Sequence, residues 1–191
     1  MLEYLDIIFN SAVLVALIAG GIKFYELRKK EKKPFTKALQ SRAEVSQTLR
    51  KYRIRMGSPR ILILKGSNGG RPRPESHFFT SIIAEDFIDE LSPIKETWQK
   101  QRIDKAYEAI IHEMLSRDFI IIKTDKMPRS ILKDNYEHQD LTGSILSLID
   151  ENKERLLYLS IHVEDISQAE SPSFRDDLRQ LKSKLRKIYS S

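Results

Sequence analysis

The apolar positions near the start of the chain form one continuous run, whereas the later ones recur with regular spacing. No charged residue lies between Ile7 and Ile22. A helix from Met1 to Ile22 would be about 33 Å long at 1.5 Å per residue, which matches the hydrocarbon thickness of a bilayer. The run therefore predicts a transmembrane helix, with a buried core helix as the alternative.

Charges flank this run asymmetrically. Glu3 and Asp6 precede it, and a cluster of five basic residues follows it at 28–33: Arg28, Lys29, Lys30, Lys32 and Lys33. Because Lys and Arg accumulate on the cytoplasmic side of membrane spans, we expect a single-pass protein with its N-terminus outside. The five basic residues then lie at the membrane surface, near anionic lipid. This divides the chain into an anchor with a basic segment, residues 1–33, and a cytoplasmic domain, residues 34–191.

Helical spacing of apolar residues predicts four further helices, at about 36–55, 103–117, 130–137 and 173–189. The last of these has apolar residues in 4-3-4-3 spacing: Phe174, Leu178, Leu181, Leu185 and Ile188. Such a stripe is typical of a helix–helix interface. We therefore expect a homodimer formed through this helix, and the alternative is that the stripe covers one face of a sheet.

Short runs of branched apolar residues predict five strands, at 60–66, 77–83, 119–123, 143–149 and 156–162. The first run, Ile61 to Leu64, is uniformly apolar, so we expect it to be buried on both faces. Residues 84–91 fit a strand or a helix, and residues 94–101 fit a loop or a short helix. The order of these elements predicts an α+β domain with an antiparallel β-sheet and flanking helices.

From about Thr36 onward, the chain resembles the GAF domain, a relative of the PAS fold. The resemblance lies in the leading helix, in the strand and loop ILILKGSNGG, in the strand pair LSLIDENKERLLYLSIHVED and in the final helix. It implies a module that binds a small molecule, or that packs and dimerises. The chain has no cysteine, so a bilin could not attach through a thioether. No cyclic-nucleotide motif is recognisable, and the cofactor is therefore unknown.

The formal net charge of +6 is unevenly distributed. Between Lys23 and Arg60, basic residues far outnumber Glu26, Glu31 and Glu44, whereas the rest of the chain is slightly acidic. A basic excess next to an apolar run favours contact with a lipid bilayer over contact with nucleic acid. The absence of cysteine agrees with a reducing compartment.

Catalytic motifs are not recognisable in the sequence. Lys65 precedes the glycines at 66, 69 and 70, so the phosphate-binding P-loop order is missing. The dipeptide His112-Glu113 is followed by Ser116, which excludes the zinc-protease motif. The other histidines are isolated from one another and are expected to be structural. The sequence predicts a protein that is not an enzyme and holds no metal.

The loop after the first strand is the best candidate for a ligand site. Its backbone amides, flanked by glycine, would hold an anion together with nearby polar side chains: Lys65, Ser67, Asn68, Arg71 and Arg73. Tyr136 is a second candidate, near a loop that would cover the sheet. The alternative is an exposed turn with solvated charges. Trp98 and Tyr158 are expected to be core aromatics.

These features favour a membrane-anchored, GAF-like sensory or regulatory module that binds a small ligand, dimerises, or does both. The alternative is a structural membrane adaptor, of the kind that phages or mobile elements encode, which binds a protein and no ligand. A pocket with a few convergent polar groups would favour the first function. A filled core with an exposed apolar patch would favour the second.

Overall fold

The computed structural model describes residues 38–67, 72, 77–152 and 155–190. The predicted anchor and its basic residues at 28–33 lie outside these ranges, so both stay predictions. Among the described residues, no helix is both long enough and apolar enough to span a bilayer. Residues 44–191 cluster as one unit.

Four α-helices occur in the described residues, close to the predicted positions: α1 at 38–56, α2 at Lys105–Leu115, α3 at Ile131–His138 and α4 at Pro172–Ser190. The Asp104 carboxylate accepts hydrogen bonds from the backbone amides of Tyr107 at 2.8 Å and Ile131 at 2.6 Å. One side chain thereby caps α2 and positions the start of α3.

The part of the chain that the structure describes contains six strands in one sheet: β1 at Arg60–Ser67, β2 at Phe79–Phe87, β3 at Gln101–Arg102, β4 at Ile120–Lys123, β5 at Gly143–Glu151 and β6 at Leu156–Val163. Their order is β3-β2-β1-β6-β5-β4, and every pair is antiparallel. This confirms the α+β class and the antiparallel sheet with flanking helices. Strand β2 continues to Phe87, which resolves the ambiguous segment after residue 83. Strand β3 was not predicted, because two residues are too few to show a period.

The sheet separates two hydrophobic cores. Ile61 and Ile63 of β1, both 0% exposed, pack in the core that contains α1 and α4. Leu62 and Leu64, both 4% exposed, pack in the core that contains α2 and α3. The prediction that β1 is buried on both faces is confirmed.

The stripe on α4 belongs to the first of these cores. Its five residues, Phe174, Leu178, Leu181, Leu185 and Ile188, are at most 9% exposed within a single chain. They pack with Leu49 and Tyr52 of α1 and with the sheet. The assignment of this stripe to a dimer surface is therefore corrected, since its apolar area is already used to cover the sheet. A homodimer stays a prediction and would need another surface.

Candidate functional site

A small cavity lies on the α2–α3 side of the sheet. Its apolar lining comes from the sheet, from α3 and from the covering segment 88–100: Leu62, Leu64, Ile82, Ile94, Trp98 and Leu132. Its polar lining consists of Tyr107, Asn135, Tyr136, Ser160 and His162. The volume is about 20 Å³, and about 10–15 Å³ is enough for one water molecule. An organic ligand would therefore have to move the covering segment.

Trp98 attaches the covering segment to the sheet. Its indole Nε1 donates a hydrogen bond to Thr80 Oγ1 at 2.9 Å, and its carbonyl oxygen accepts from the Ile82 amide at 3.0 Å. The side chain is 7% exposed, which confirms the prediction of a core aromatic. The ring is thus part of the wall of the cavity, and its position depends on β2.

Glu85 provides a second attachment for the same segment. Its two carboxylate oxygens accept hydrogen bonds from the backbone amides of Ile94 and Lys95, each at 3.1 Å. A carboxylate accepts such bonds strongly because it is charged. The sequence had left residues 94–101 open between a loop and a short helix. The structure shows turns held by side chains of β2, followed by β3.

Three tyrosines with buried hydroxyls belong to the same hydrophobic core as Trp98. Tyr107 Oη and Tyr158 Oη are 2.9 Å apart, and Tyr136 Oη lies 2.5 Å from Ser144 Oγ and 3.3 Å from Ser160 Oγ. All three side chains are at most 3% exposed. Burial raises the pKa of each tyrosine above its ordinary value. They therefore remain neutral donors and acceptors at physiological pH.

His162 is a buried neutral imidazole. It is 1% exposed and contacts the Tyr136 ring edge-on, with 5.7 Å between the ring centroids. Its Nδ1 has no hydrogen-bond partner among the described residues. Burial, together with the charge of Arg60, lowers the pKa of His162 to about 3. A buried polar atom without a partner costs free energy, so Nδ1 favours a ligand group that hydrogen-bonds to it.

Arg60 connects β1 to segment 88–100 and to the end of α3, which together cover the cavity. It is 2% exposed, and it donates hydrogen bonds to Gln139 Oε1 at 2.9 Å and to the Ser92 carbonyl at 2.6 Å. Its guanidinium also lies 5.4 Å from the centroid of the Phe87 ring. Burial lowers the pKa of Arg60, while the charge of Glu85 opposes this shift. Gln139 ends α3 and Ser92 lies in segment 88–100, so one side chain holds both parts of the cover.

The structure brings one of the described sequence candidates to this cavity. Tyr136 lines it, whereas Lys65 is exposed and Ser67 is half-buried at the end of β1, and neither belongs to its lining. Asn68, Arg71 and Arg73 lie outside the described residues. Anion binding by the loop after β1 therefore stays a prediction.

Arg60 and His162 were missed as site residues. His162 lies within the uniformly buried strand LLYLSIHV, so burial on both faces was a usable signal for a neutral imidazole. Arg60 had no such signal, because an arginine between Pro59 and an apolar strand is expected to be a surface residue.

Within the described part of the chain, no group of three or more His, Asp or Glu side chains is placed to hold a metal ion.

The fold resembles several solved GAF domains. That of a two-component sensor histidine kinase from Bacillus halodurans is 16% identical, with a TM-score of 0.54 over 78% of this chain and 92% of that one. The blue-light absorbing form of the Thermosynechococcus elongatus PixJ GAF domain is 8% identical, with a TM-score of 0.53 over 81% and 90%. A GAF domain/HD domain protein from Geobacter sulfurreducens is 6% identical, with a TM-score of 0.51 over 79% and 95%.

These likenesses show a GAF-like fold. None of the family models compared with the sequence matches it, and neither does any curated protein. The fold and the cavity are therefore the two observations from which a function is inferred.

Proposed function

We propose that this protein is a membrane-anchored sensory or regulatory module that binds a small neutral molecule in the cavity under segment 88–100. The observation that carries the proposal is the convergence of neutral polar groups on an apolar cavity, with His162 Nδ1 lacking a partner among the described residues. Binding sites for small molecules typically combine an apolar wall with a few such groups. Two of the GAF domains of similar fold belong to a sensor histidine kinase and to a blue-light absorbing protein.

The charge of the site favours a neutral ligand. The polar groups in the lining are three neutral hydroxyls, one carboxamide and one neutral imidazole. A cation would be repelled by Arg60, whose charge already acts on His162. A carboxylate or phosphate would be attracted by the same charge, but the Arg60 guanidinium donates to Gln139 and Ser92 and is not part of the lining. The anion would therefore lose its hydration without a direct ion-pair partner, at a cost of several kcal/mol. A planar or aliphatic molecule with one or two hydrogen-bonding groups fits the site best.

Binding would be coupled to movement of the cover. At about 20 Å³, the cavity is far smaller than the 300 Å³ or more of typical ligand sites. A ligand would have to separate segment 88–100 or α3 from the sheet, against the contacts of Trp98, Glu85 and Arg60. That displacement is a conformational change that a partner can detect, as a sensory role requires.

Membrane anchoring is supported by the sequence alone, through the uncharged run Ile7 to Ile22 and the basic residues after it. The alternative function, a structural membrane adaptor, would be favoured by an exposed apolar patch that binds a protein partner. Among the described residues, the exposed large hydrophobic side chains are Leu39 and Ile54, and we see no extended apolar patch on that part of the surface.

The test is retention of a small molecule by the purified full chain. We expect mass spectrometry after denaturation to detect a bound neutral compound, or a screen of neutral aromatic fragments to give saturable binding. Leu132→Phe fills the cavity and should reduce binding by about tenfold or more. Leu178→Phe overpacks the other side of the sheet and is the matched control, so it should leave binding unchanged. Equal binding by both variants, or no binding by the parent chain, would contradict the proposal.

A further inference from the structure

A second concave surface lies on α4, on a different part of the domain from the cavity. Four cationic side chains line it: Arg179, Lys182 and Arg186, which recur at helical spacing, and Lys187, which follows Arg186 directly. Ser183 of the same helix and Asp118, just before β4, complete the lining. We call these six residues the basic groove. Its volume is about 340 Å³, which falls within the range of about 300–1,000 Å³ that is typical of ligand sites.

Two of the cations are held in place by the fold. Lys182 is 6% exposed, and its Nζ donates to the Asp118 carbonyl oxygen at 3.0 Å and to the Asp118 carboxylate at 2.6 Å. Arg186 Nε donates to the backbone carbonyl of Ile149. A guanidinium has five N–H donors, so Arg186 keeps its terminal donors for another acceptor. These two side chains therefore lose little freedom when an anion binds.

The other two cations, Arg179 and Lys187, can contact an anion without giving up a strong interaction. Arg179 pairs with Asp176 on the same helix at 3.1 Å, and both side chains are more than 60% exposed. Exposed pairs of this kind contribute little, so Arg179 can exchange its partner. Among the described residues, the Lys187 ammonium makes no hydrogen bond or ion pair.

The local potential of the groove is positive. Among the described residues, Asp118 is the only acidic one in its lining. The hydrogen bond from Lys182 lowers the pKa of Asp118, and the charges of Lys182, Arg179 and Arg186 lower it further, although partial burial opposes the shift. Asp118 thus stays ionised and is neutralised by Lys182. Arg179 is paired with Asp176, outside the lining, so Arg186 and Lys187 leave an excess of two positive charges, and an anion that takes the place of Asp176 gains the third. This suits an anion with more than one negative charge.

We propose that the basic groove binds a phosphate group that carries two negative charges, as the terminal phosphate of a phosphomonoester does. A phosphate offers three acceptor oxygens and has a second pKa near 6. Arg179 and Arg186 can each donate two parallel hydrogen bonds to it, and Lys187 supplies a third positive charge. The site is independent of the proposed function, because it shares no residue with the cavity. The phosphate could belong to a soluble ligand or to a lipid headgroup.

The experiment measures binding of inorganic pyrophosphate to the purified full chain by calorimetry. In parallel, it measures how much phosphatidic acid increases binding to phosphatidylcholine vesicles, and compares this increase between variants, because residues 1–33 are the same in all of them. Arg179→Ala and Lys187→Ala should each weaken binding by about tenfold, the usual effect of losing a charge-assisted contact. Lys184→Ala is the matched control, since Lys184 is an exposed cation on the same helix outside the groove, and it should change binding less than about twofold. Binding should also strengthen as the pH rises through about 6.

Loss of pyrophosphate binding in the groove variants assigns the site to a soluble phosphate. If the parent chain does not bind pyrophosphate, and the groove variants lose the binding that depends on phosphatidic acid, the same site is assigned to a lipid headgroup. Equal weakening by Lys184→Ala and Lys187→Ala would overturn the proposal, because it would show general attraction to a cationic chain. Absence of binding to both probes would overturn it as well.

Discussion

Arg60 and His162 show how a single residue can be placed at odds with its usual preference. A charged or titratable group inside a protein costs free energy unless hydrogen bonds compensate for lost hydration. Arg60 recovers part of that cost through Gln139 and Ser92, whereas His162 avoids it by staying neutral. Both groups border the cavity or hold its cover, where an uncompensated polar atom is most useful to a ligand site.

The buried imidazole makes stability depend on pH. Above about pH 6.5, the ordinary pKa of histidine, His162 is neutral in both the folded and unfolded states. In that range it contributes nothing to the pH dependence of the free energy of unfolding. As the pH falls below this value, the unfolded chain binds a proton that the folded chain excludes until about pH 3. The free energy of unfolding should therefore fall by up to about 1.4 kcal/mol per pH unit in this window.

Urea denaturation at pH 7 and pH 5 checks this dependence, with His162→Asn as the comparison. The variant lacks the titrating group at this position, so its loss of stability between the two pH values should be smaller than that of the parent chain. Equal losses would show that His162 titrates alike in the folded and unfolded chains. The exposed histidines are present in both proteins, so their contributions cancel when the two losses of stability are compared.

Two glycines mark close approaches of the backbone. A Cβ at Gly143 would lie 2.2 Å from the carbonyl oxygen of Ile122, and a Cβ at Gly66 would lie 2.2 Å from Cζ of Phe78. Overpacking of this kind costs about 1–3 kcal/mol. We expect Gly143→Ala to destabilise more than Gly66→Ala, because it must displace backbone of β4 instead of a side-chain ring. Thermal melts of the two variants provide the measurement.

Gly57→Ala serves as the control for backbone conformation. Gly57 has a φ of +60°, and a Cβ at this position would have nothing within 4 Å, so alanine there meets only the left-handed conformational cost of about 1–2 kcal/mol. A Gly143→Ala variant as stable as the parent chain would mean that β4 adjusts freely at the edge of the sheet.

At the scale of the element, α1 shows the division between core and surface most clearly. Leu49 is 0% exposed and packs between α4 and the sheet, whereas Ile54, five residues later, is 63% exposed. Leu49→Ala should lower the free energy of unfolding by about 2–5 kcal/mol, and Ile54→Ala should change it by less than about 0.5 kcal/mol. Chemical denaturation measures both. Similar effects at the two positions would argue against the packing of α1 on the first core.

A substitution in the α4 stripe can distinguish a role in the core from a role in a dimer interface. Leu181 is 0% exposed within the single chain, so Leu181→Glu would bury a carboxylate without a partner, and the chain should unfold. Circular dichroism and sedimentation distinguish the two roles. A folded variant that only shifts to a smaller species would restore the dimer assignment of this stripe. Gln180→Glu, at an exposed neighbouring position, is the matched control and should stay folded.

At the scale of the whole molecule, anchoring is the main expectation from the sequence. Two arginines in the apolar run, Leu14→Arg and Ala16→Arg, should each disfavour insertion by about 2.5–3.5 kcal/mol. The full chain with both changes should shift from the membrane fraction to the supernatant. Leu39→Arg with Gln40→Arg, at exposed positions, adds the same charge outside the run and should leave the distribution unchanged. Equal membrane fractions for both double variants would contradict the anchor.

Much of the architecture could be predicted because it depends on local pattern. The period of apolar residues located all four described helices, and the branched runs located five of the six described strands. Burial of β1 on both faces also followed from its uniform composition, since an apolar run without alternation requires cover on both sides. The α+β class and the likeness to GAF domains needed only the order of these elements.

Only the tertiary structure decided which surfaces meet. The 4-3-4-3 stripe of α4 is equally suited to a second copy or to a sheet, and the packing of α1 and α4 on the same face of the sheet resolved that choice. Arg60 is buried, and its guanidinium donates a hydrogen bond to Gln139, 79 positions away. The cavity likewise forms from β1, β6, α3 and segment 88–100, which are distant in sequence. A local pattern reports that a face must be covered, whereas the covering group is selected by long-range pairing of strands.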